Sequence, residues 1–216
     1  EDLFVFMATA SGTVKNTPLI EYSRPRTSGI IAVDLREDDQ LVGVDLTDGR
    51  QDILLFTSAG KAIRFAETDV RPMGRAACGV RGVRLGPDQR VISLIVARGG
   101  DVLTVTANGF GKRTPQDQFP RKGRGGMGII SIKTSERNGE QVGAVQVADE
   151  DEIMLITNGG TLVRTRVDDV SRMGRDTQGV KLISLSKAER LIGIERIEVL
   201  DDVDDAADEA DDEAQD

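Results

Sequence analysis

The sequence predicts an all-β protein, a propeller-like array of about four four-stranded blades, and three registers of turn residues carry that prediction. Hairpin-like turns fall at Ser11-Gly12, Ala59-Gly60, Asn108-Gly109 and Gly159-Gly160, so the four glycines are 48, 49 and 51 residues apart. A second series, Gly29, Gly79, Gly128 and Gly179, steps by 50, 49 and 51; a third, Gly43, Ser93, Gly143 and Gly193, steps by 50. Short strands separated by turn residues and repeated at a fixed period are the signature of blades.

Each repeat has the same parts in the same order. The apolar stretches VFMATA, ILLFTS, VLTVTA and IMLITN lead into the turn glycines and read as strands. Ten residues after each turn glycine stands an apolar anchor, Tyr22, Val70, Phe119 or Val170, expected in the core. A charged loop follows, and the second glycine then opens a β-like run: IIAV, VRGV, IISI or VKLI. The expected repeats are about 3–50, 51–100, 101–150 and 151–200, forming one domain over 1–200. Residues 201–216 follow as an acidic tail read as disordered.

That tail explains a misleading net charge. The 216 residues carry a formal charge of −9, yet DDVDDAADEADDEAQD from Asp201 to Asp216 holds ten acids and no base, which leaves +1 on residues 1–200. Such a block is ordinarily a solvated disordered segment. Tethered to a basic surface, it would also compete with another polyanion for that surface.

Composition excludes several chemistries. There is no histidine, which removes His-dependent triads, imidazole acid–base catalysis and His metal sites. Cys78 is the single cysteine, so the chain can form no internal disulfide and no Cys zinc site, which suits a reducing compartment. No apolar run approaches the roughly 18 residues of a membrane span, and the first residues do not read as a signal peptide. The start at Glu1, with a strand almost at once, reads as a piece of a longer protein. Tyr22 is the single tyrosine and reads as an anchor rather than a nucleophile. Asp38-Asp39 and Asp149-Glu150-Asp151-Glu152 lack the spacing of a calcium loop and read as solvated turns, so no metal or other cofactor is expected. Cys78 lies near arginines that could activate a thiolate, but reads as a small loop residue.

The loop RKGRGGMG, Arg121 to Gly128, satisfies G-x-G-x-x-G through Gly123, Gly125 and Gly128, with Gly126 beside them. A dinucleotide fingerprint requires a strand before it and a helix after it; here PQDQFPRK precedes and IISIK follows, a loop and then a strand. A phosphate-binding GxxxxGK[ST] loop fails as well, because GFGKRT has Arg113 where Ser or Thr is needed. The equivalent loops instead share positive charge: Arg24 and Arg26; Arg71 and Arg75, with Arg81 and Arg84 just beyond; Arg121, Lys122 and Arg124; Arg172 and Arg175. Val70–Gly86 and Gln118–Ser135 contain four bases each and no acid. Equivalent loops of a propeller share one part of the rim, so the charges form a band that a long polyanion can follow. Glycines beside them let backbone amides approach phosphate oxygens.

Duplex DNA held by its phosphates fits that band best. Single-strand binders present stacking aromatics, whereas this chain has no Trp, one Tyr and six Phe, most of them in strand-like runs or at the anchor position. No amphipathic helix offers a base-reading element.

VFMATASGTVKNT, GVRGVRLG, GKRT, IISIKTSERNG with VGAVQV, and ITNGGTLVRTRV with MGRDTQGV resemble the C-terminal domain of the DNA gyrase A subunit, over nearly all of residues 3–200. The resemblance implies a β-pinwheel, a disc whose blades exchange strands and whose basic edge wraps duplex DNA. It further implies a non-catalytic module of an ATP-dependent, negatively supercoiling topoisomerase, partnered by the remainder of the gyrase A subunit and by the gyrase B subunit, and cytoplasmic with the nucleoid. The family domain has six blades, of which these match the last four. Its first blade carries a Q-R-R-G-G-K-G box; the nearest sequence here, Lys122 to Gly128, has Met127 in place of the lysine. Two other readings stand beside it: the related domain of topoisomerase IV, and a propeller serving as a protein-interaction platform, for which WD-type blades are excluded by the absence of His and Trp.

Overall fold

A near-continuous apolar run, buried on both faces in the first three repeats, opens each hairpin, and a third strand follows it. The computed structural model describes residues 3–197. The first repeat gives β1 (Phe4–Thr9), β2 (Thr13–Pro18) and β3 (Leu41–Thr47). The second gives β4 (Asp52–Thr57), β5 (Lys61–Ala66), the two-residue β6 (Val80–Arg81) and β7 (Val91–Val96). The third gives β8 (Asp101–Thr106), β9 (Phe110–Pro115), β10 (Ile129–Ile130) and β11 (Gln141–Val147). The fourth gives β12 (Glu152–Thr157), β13 (Leu162–Arg166), β14 (Val180–Lys181) and β15 (Leu191–Ile197). The only helical segments among the described residues are four short 3-10 turns, one after each of β2, β5, β9 and β13.

The sheets are antiparallel, with orders β3-β1-β2-β6, β10-β5-β4-β7, β11-β8-β9-β14 and β13-β12-β15. The two-residue strand after the second glycine therefore completes the blade of the preceding repeat. Val14 pairs with Val80, Ala62 with Ile129 and Gly111 with Val180, two residues beyond the turn glycine in each case. Two consecutive amides past each short strand then donate to the turn-glycine carbonyl: Gly82 and Val83 to Gly12, Ser131 and Ile132 to Gly60, Leu182 and Ile183 to Gly109. The blades number four as expected. Among the described residues the fourth sheet has three strands, with no following repeat's short strand to pair with β13. For the matching reason IIAV, expected to be β-like, is no strand in the first repeat, which follows no described blade. Ile31 is 68 % exposed and, at the other end, Leu162 on β13 is 61 % exposed.

Inner strands β3, β7, β11 and β15 touch in succession. The third residue series lies on them, paired as Ala8–Gly43, Phe56–Ser93, Val105–Gly143 and Ile156–Gly193, each at a register shift. Glycine there permits close approach of neighbouring blades: a Cβ on Gly43 would meet the Leu94 side chain at 2.7 Å, and one on Gly143 would meet Ile194 at 2.5 Å.

The apolar cores lie between blades. Phe6, Ala8 and Val14 pack with Ile53, Leu55 and Phe65 between blades one and two, and corresponding clusters fill the other two junctions. Each anchor belongs to the preceding blade: Val70 to the first, Phe119 to the second through an edge-on contact with Phe56 (5.7 Å, 77°), and Val170 to the third. A fully buried Phe contributes about 2–3 kcal/mol, so these contacts tie each loop's root to its neighbour. Tyr22, expected as a core anchor, is only half-buried, and no described blade precedes it; its hydroxyl donates to Ala32 O at 3.1 Å.

Candidate nucleic-acid interface

Strand exchange carries each basic loop onto the blade before it. The loops of repeats two, three and four meet the second hairpin strand, β2, β5 or β9, at one position, through Met73 N–H to Asn16 O, Lys122 N–H to Arg64 O and Met173 N–H to Arg113 O, at 2.7–2.9 Å. The acceptors each stand four residues beyond the turn glycine of their blade. These strands lie across β1, β4 and β8 from the touching inner strands, so the three loops occupy equivalent places towards the outer edge.

Within the loops the charges divide into two kinds. Arg75 donates from a terminal nitrogen to Ile31 O (2.7 Å), Arg124 to Arg81 O (3.0 Å) and Arg175 to Ile130 O (2.8 Å). Each stands four residues before its second glycine and reaches the second residue after the preceding repeat's second glycine. These three arginines therefore splint consecutive repeats, and Arg124 adds a bond from Nε to Asp69 O at 2.8 Å. In the first loop the corresponding residue is Pro25.

Arg121 and Arg172 hold buried carboxylates at the start of the preceding blade. Arg172 bonds Asp101 at 2.8 Å. Arg121 lies 2.5 Å from Asp52 Oδ1 without hydrogen-bond alignment, so that contact is an ion pair only, while Arg64 makes the aligned bond to Oδ2 at 2.7 Å.

The remaining expected cations, Arg24, Arg26, Arg71, Arg81, Arg84 and Lys122, are exposed, and their charged ends have no partner among the described residues. Lys181, overlooked in the sequence, belongs with them: it is exposed, unpaired, and two residues past its second glycine, as Arg81 is. That shared offset was the available signal.

The box-like loop is only partly open. Gly125 has φ +83° and donates its amide to Gly82 O at 2.6 Å, and Gly126 O accepts from Arg84 N–H at 2.8 Å. Gly128, at φ +75°, is fixed as glycine because a Cβ would come within 2.5 Å of Ala62 O. Gly123 touches nothing, and the Gly123 and Gly126 amides have no partner among the described residues.

Two other expectations change, for the acidic turns. Asp151 is buried and bonded to Ala148 N–H and Arg196, and Glu152 pairs with Arg164; Asp149 pairs with Arg113 but, like Glu150, stays exposed on the turn, so only the second half of the run departs from a solvated turn. Asp39 likewise accepts from the Ser11 amide and hydroxyl. Cys78 is exposed and its thiol donates to Asp34 at 3.4 Å; that bond and the nearby carboxylate charge push its pKa up, so the neighbouring arginines do not activate it. Among the described residues no group of acids or cysteine could hold a metal ion, and no helix is long and apolar enough to cross a membrane.

The family described as "DNA gyrase C-terminal domain, beta-propeller" matches at residues 4–48, 51–98, 100–148 and 151–198, once per repeat. The chain belongs to this family. Among its relatives are the DNA gyrase A subunits of Salmonella typhimurium, 58 % identical over 94 % of this chain, and Pseudomonas aeruginosa, 55 % identical over 98 %. The Escherichia coli K12 protein is 53 % identical over 99 %. The chain spans about a quarter of the length of these relatives: 23 %, 23 % and 25 %. A solved DNA gyrase A C-terminal domain superposes with TM-score 0.81 at 25 % identity, covering 90 % of this chain and 66 % of that one. The C-terminal domain of DNA topoisomerase IV superposes with 0.86 at 27 %, covering 92 % and 62 %. Shape alone thus does not separate the two enzymes; the sequence relatives named above are gyrase A subunits.

Proposed function

We propose that this gyrase A C-terminal module binds duplex DNA by its phosphates, with little sequence preference, and wraps it along the outer edge of the blades. The observation that carries the reading is the recurrence of unpaired cations on loops docked at equivalent places of successive blades. Arg24, Arg26, Arg71, Arg81, Arg84, Lys122 and Lys181 are available for phosphate contact, and Arg75, Arg121, Arg124, Arg172 and Arg175 shape the loops that present them. Gly123 and Gly126 offer amides to a phosphate oxygen, while Gly125 and Gly128 set the course of the loop. The module is non-catalytic and uses no cofactor. Within the whole enzyme it supports ATP-dependent negative supercoiling, with the rest of the gyrase A subunit and the gyrase B subunit as partners, in the cytoplasm with the nucleoid.

A gel shift at graded salt tests this. If seven cations each neutralise one phosphate, log K falls against log salt with a slope of roughly −6. A slope near zero, or strong preference for one sequence, overturns it and favours a protein-interaction platform.

A further inference from the structure

Two lysines of the second hairpin strands, β2 and β9, are buried to their ammonium groups. Lys15 is 2 % and Lys112 0 % exposed, each three residues after its turn glycine. Neither pairs with a carboxylate. Lys112 Nζ donates to Gly174 O at 2.5 Å and Arg175 O at 2.6 Å, across more than sixty residues of chain, in the basic loop of the next repeat. Lys15 Nζ makes the corresponding contact with Arg75 O and a second with Ala32 O at 3.1 Å.

Completing the blade does not require an ammonium there. The second repeat has Ile63 at the same place, 4 % exposed, and its loop is fastened through main-chain bonds from Lys122 to Arg64 and from Gly125 to Gly82. An apolar side chain would avoid the desolvation that a buried cation suffers. What the lysines add is direction: they draw loop carbonyl oxygens inward, where those oxygens cannot repel an approaching phosphate, and leave a positive charge beneath the loop.

We propose that Lys15 and Lys112 are positioning residues for duplex DNA, each holding the next repeat's basic loop in its phosphate-accepting shape. The inference rests on the DNA-binding reading above. The groups facing Lys112 are Arg175 and Asp176 of the loop and Thr104 opposite it on β8; those facing Lys15 are Arg75 and Cys78 of the loop and Asp34. Burial first, and Arg175 second, lower the Lys112 pKa to about 8, with Asp176 opposing. No histidine titrates in that range. The grip is therefore charge-assisted at neutral pH and an ordinary amine bond above it, and charge assistance makes such bonds roughly twice as strong.

The test uses the full chain and Lys112→Met, titrated with a labelled mixed-sequence duplex at low salt at pH 6.5 and 9.5. Amide exchange is followed at pH 7 in residues 173–179 and 121–128. At pH 6.5 the variant binds about three- to ten-fold more weakly, by the loss of about one charge-assisted contact. At pH 9.5 the parent falls towards the variant, whose affinity changes little. Exchange quickens in 173–179 and not in 121–128. Equal affinity at pH 6.5 with equal exchange overturns the inference. Should the parent itself show no salt-dependent binding, the DNA reading fails, and exchange in 173–179 still decides whether the lysine holds the loop. If Lys112→Met does not fold, Lys15→Met is read by the same criteria at residues 73–79.

Discussion

Gly29 and Gly128 occupy the same place in their repeats and the same left-handed conformation, φ +81° and +75°, yet alanine at the two should have very different consequences. At Gly29 a Cβ meets nothing within 4 Å, so Gly29→Ala bears the left-handed backbone penalty alone, about 1–2 kcal/mol. At Gly128 the same penalty applies, and the Cβ would lie 2.5 Å from Ala62 O and 2.9 Å from its carbonyl carbon. Those are backbone atoms of β5 that cannot swing aside, so β10 must move off the sheet. That loosens the Ile129–Ala62 and Ile130–Lys61 pairing, at about 1 kcal/mol for each hydrogen bond lost. Gly128→Ala should therefore cost about 3–4 kcal/mol, roughly 2 more than Gly29→Ala. Urea unfolding of both variants, followed by circular dichroism, measures the difference, and at about 2–4 °C per kcal/mol the melting temperatures should differ by about 4–8 °C. Equal shifts would refute the assignment of β10 to the preceding blade.

Charge reversal of Arg81, Arg84 and Lys122 to Glu should weaken duplex binding more than ten-fold at low salt and leave the melting temperature within about 2 °C, since their charged ends have no hydrogen-bond or ion-pair partner among the described residues. Arg124→Ala should lower both, because it also removes the bonds to Asp69 O and Arg81 O; a variant as stable as the parent would show that it is no splint. Lys112 makes stability depend on pH in an unusual direction: its folded pKa is lowered, so the folded protein releases the proton first and stability rises as pH climbs from about 8 towards 10.5. The gain is on the order of 3 kcal/mol at most, and Lys112→Met should lack it; urea midpoints at pH 7 to 10 for the two proteins decide. Removing residues 201–216, which lie outside the described structure, should tighten DNA binding at low salt and not at high salt, since ten tethered acids compete with phosphate at an effective concentration on the order of millimolar. Identical curves at low salt would leave the tail without that role.

The period of the fold was legible because each glycine series marks a backbone event that recurs: a hairpin turn, a strand entry and a close approach of inner strands. Which blade each short strand completes was not. Val80–Arg81 pairs with residues 13 and 14, more than sixty positions back, and two residues carry no alternation pattern to reveal a partner. The roles of the arginines were illegible for a similar reason. Arg71 and Arg75 differ by four positions in one loop, and only the placement of Ile31 O within reach of Arg75 makes one a splint and leaves the other free. The buried lysines run against expectation, since lysine is rarely buried unpaired; the carbonyls that satisfy Lys112 arrive from the next repeat. The recurrence of lysine three residues after Gly12 and Gly109 was the only trace of it in the sequence.

Splinting by loop arginines bears on how a neutral body can hold a polyanion. Residues 1–200 carry a formal charge of only +1, so long-range attraction is weak and binding must depend on where the charges sit. Four buried acids bind protein: Asp52 and Asp101 under the loops, Glu67 against the 47–51 turn, and Asp151 at its corner. The cations those acids recruit, Arg64, Arg121, Arg172 and Arg196, fix the loops and the blades that present the unpaired ones. Because the loops of repeats two to four are fastened to the preceding blade, the spacing between their free cations follows the blade-to-blade step rather than loop flexibility. A ligand that follows the edge must match that step over several blades. A stiff duplex that bends once to fit meets every loop after bending, whereas a flexible polyanion of equal charge must be ordered afresh at each one.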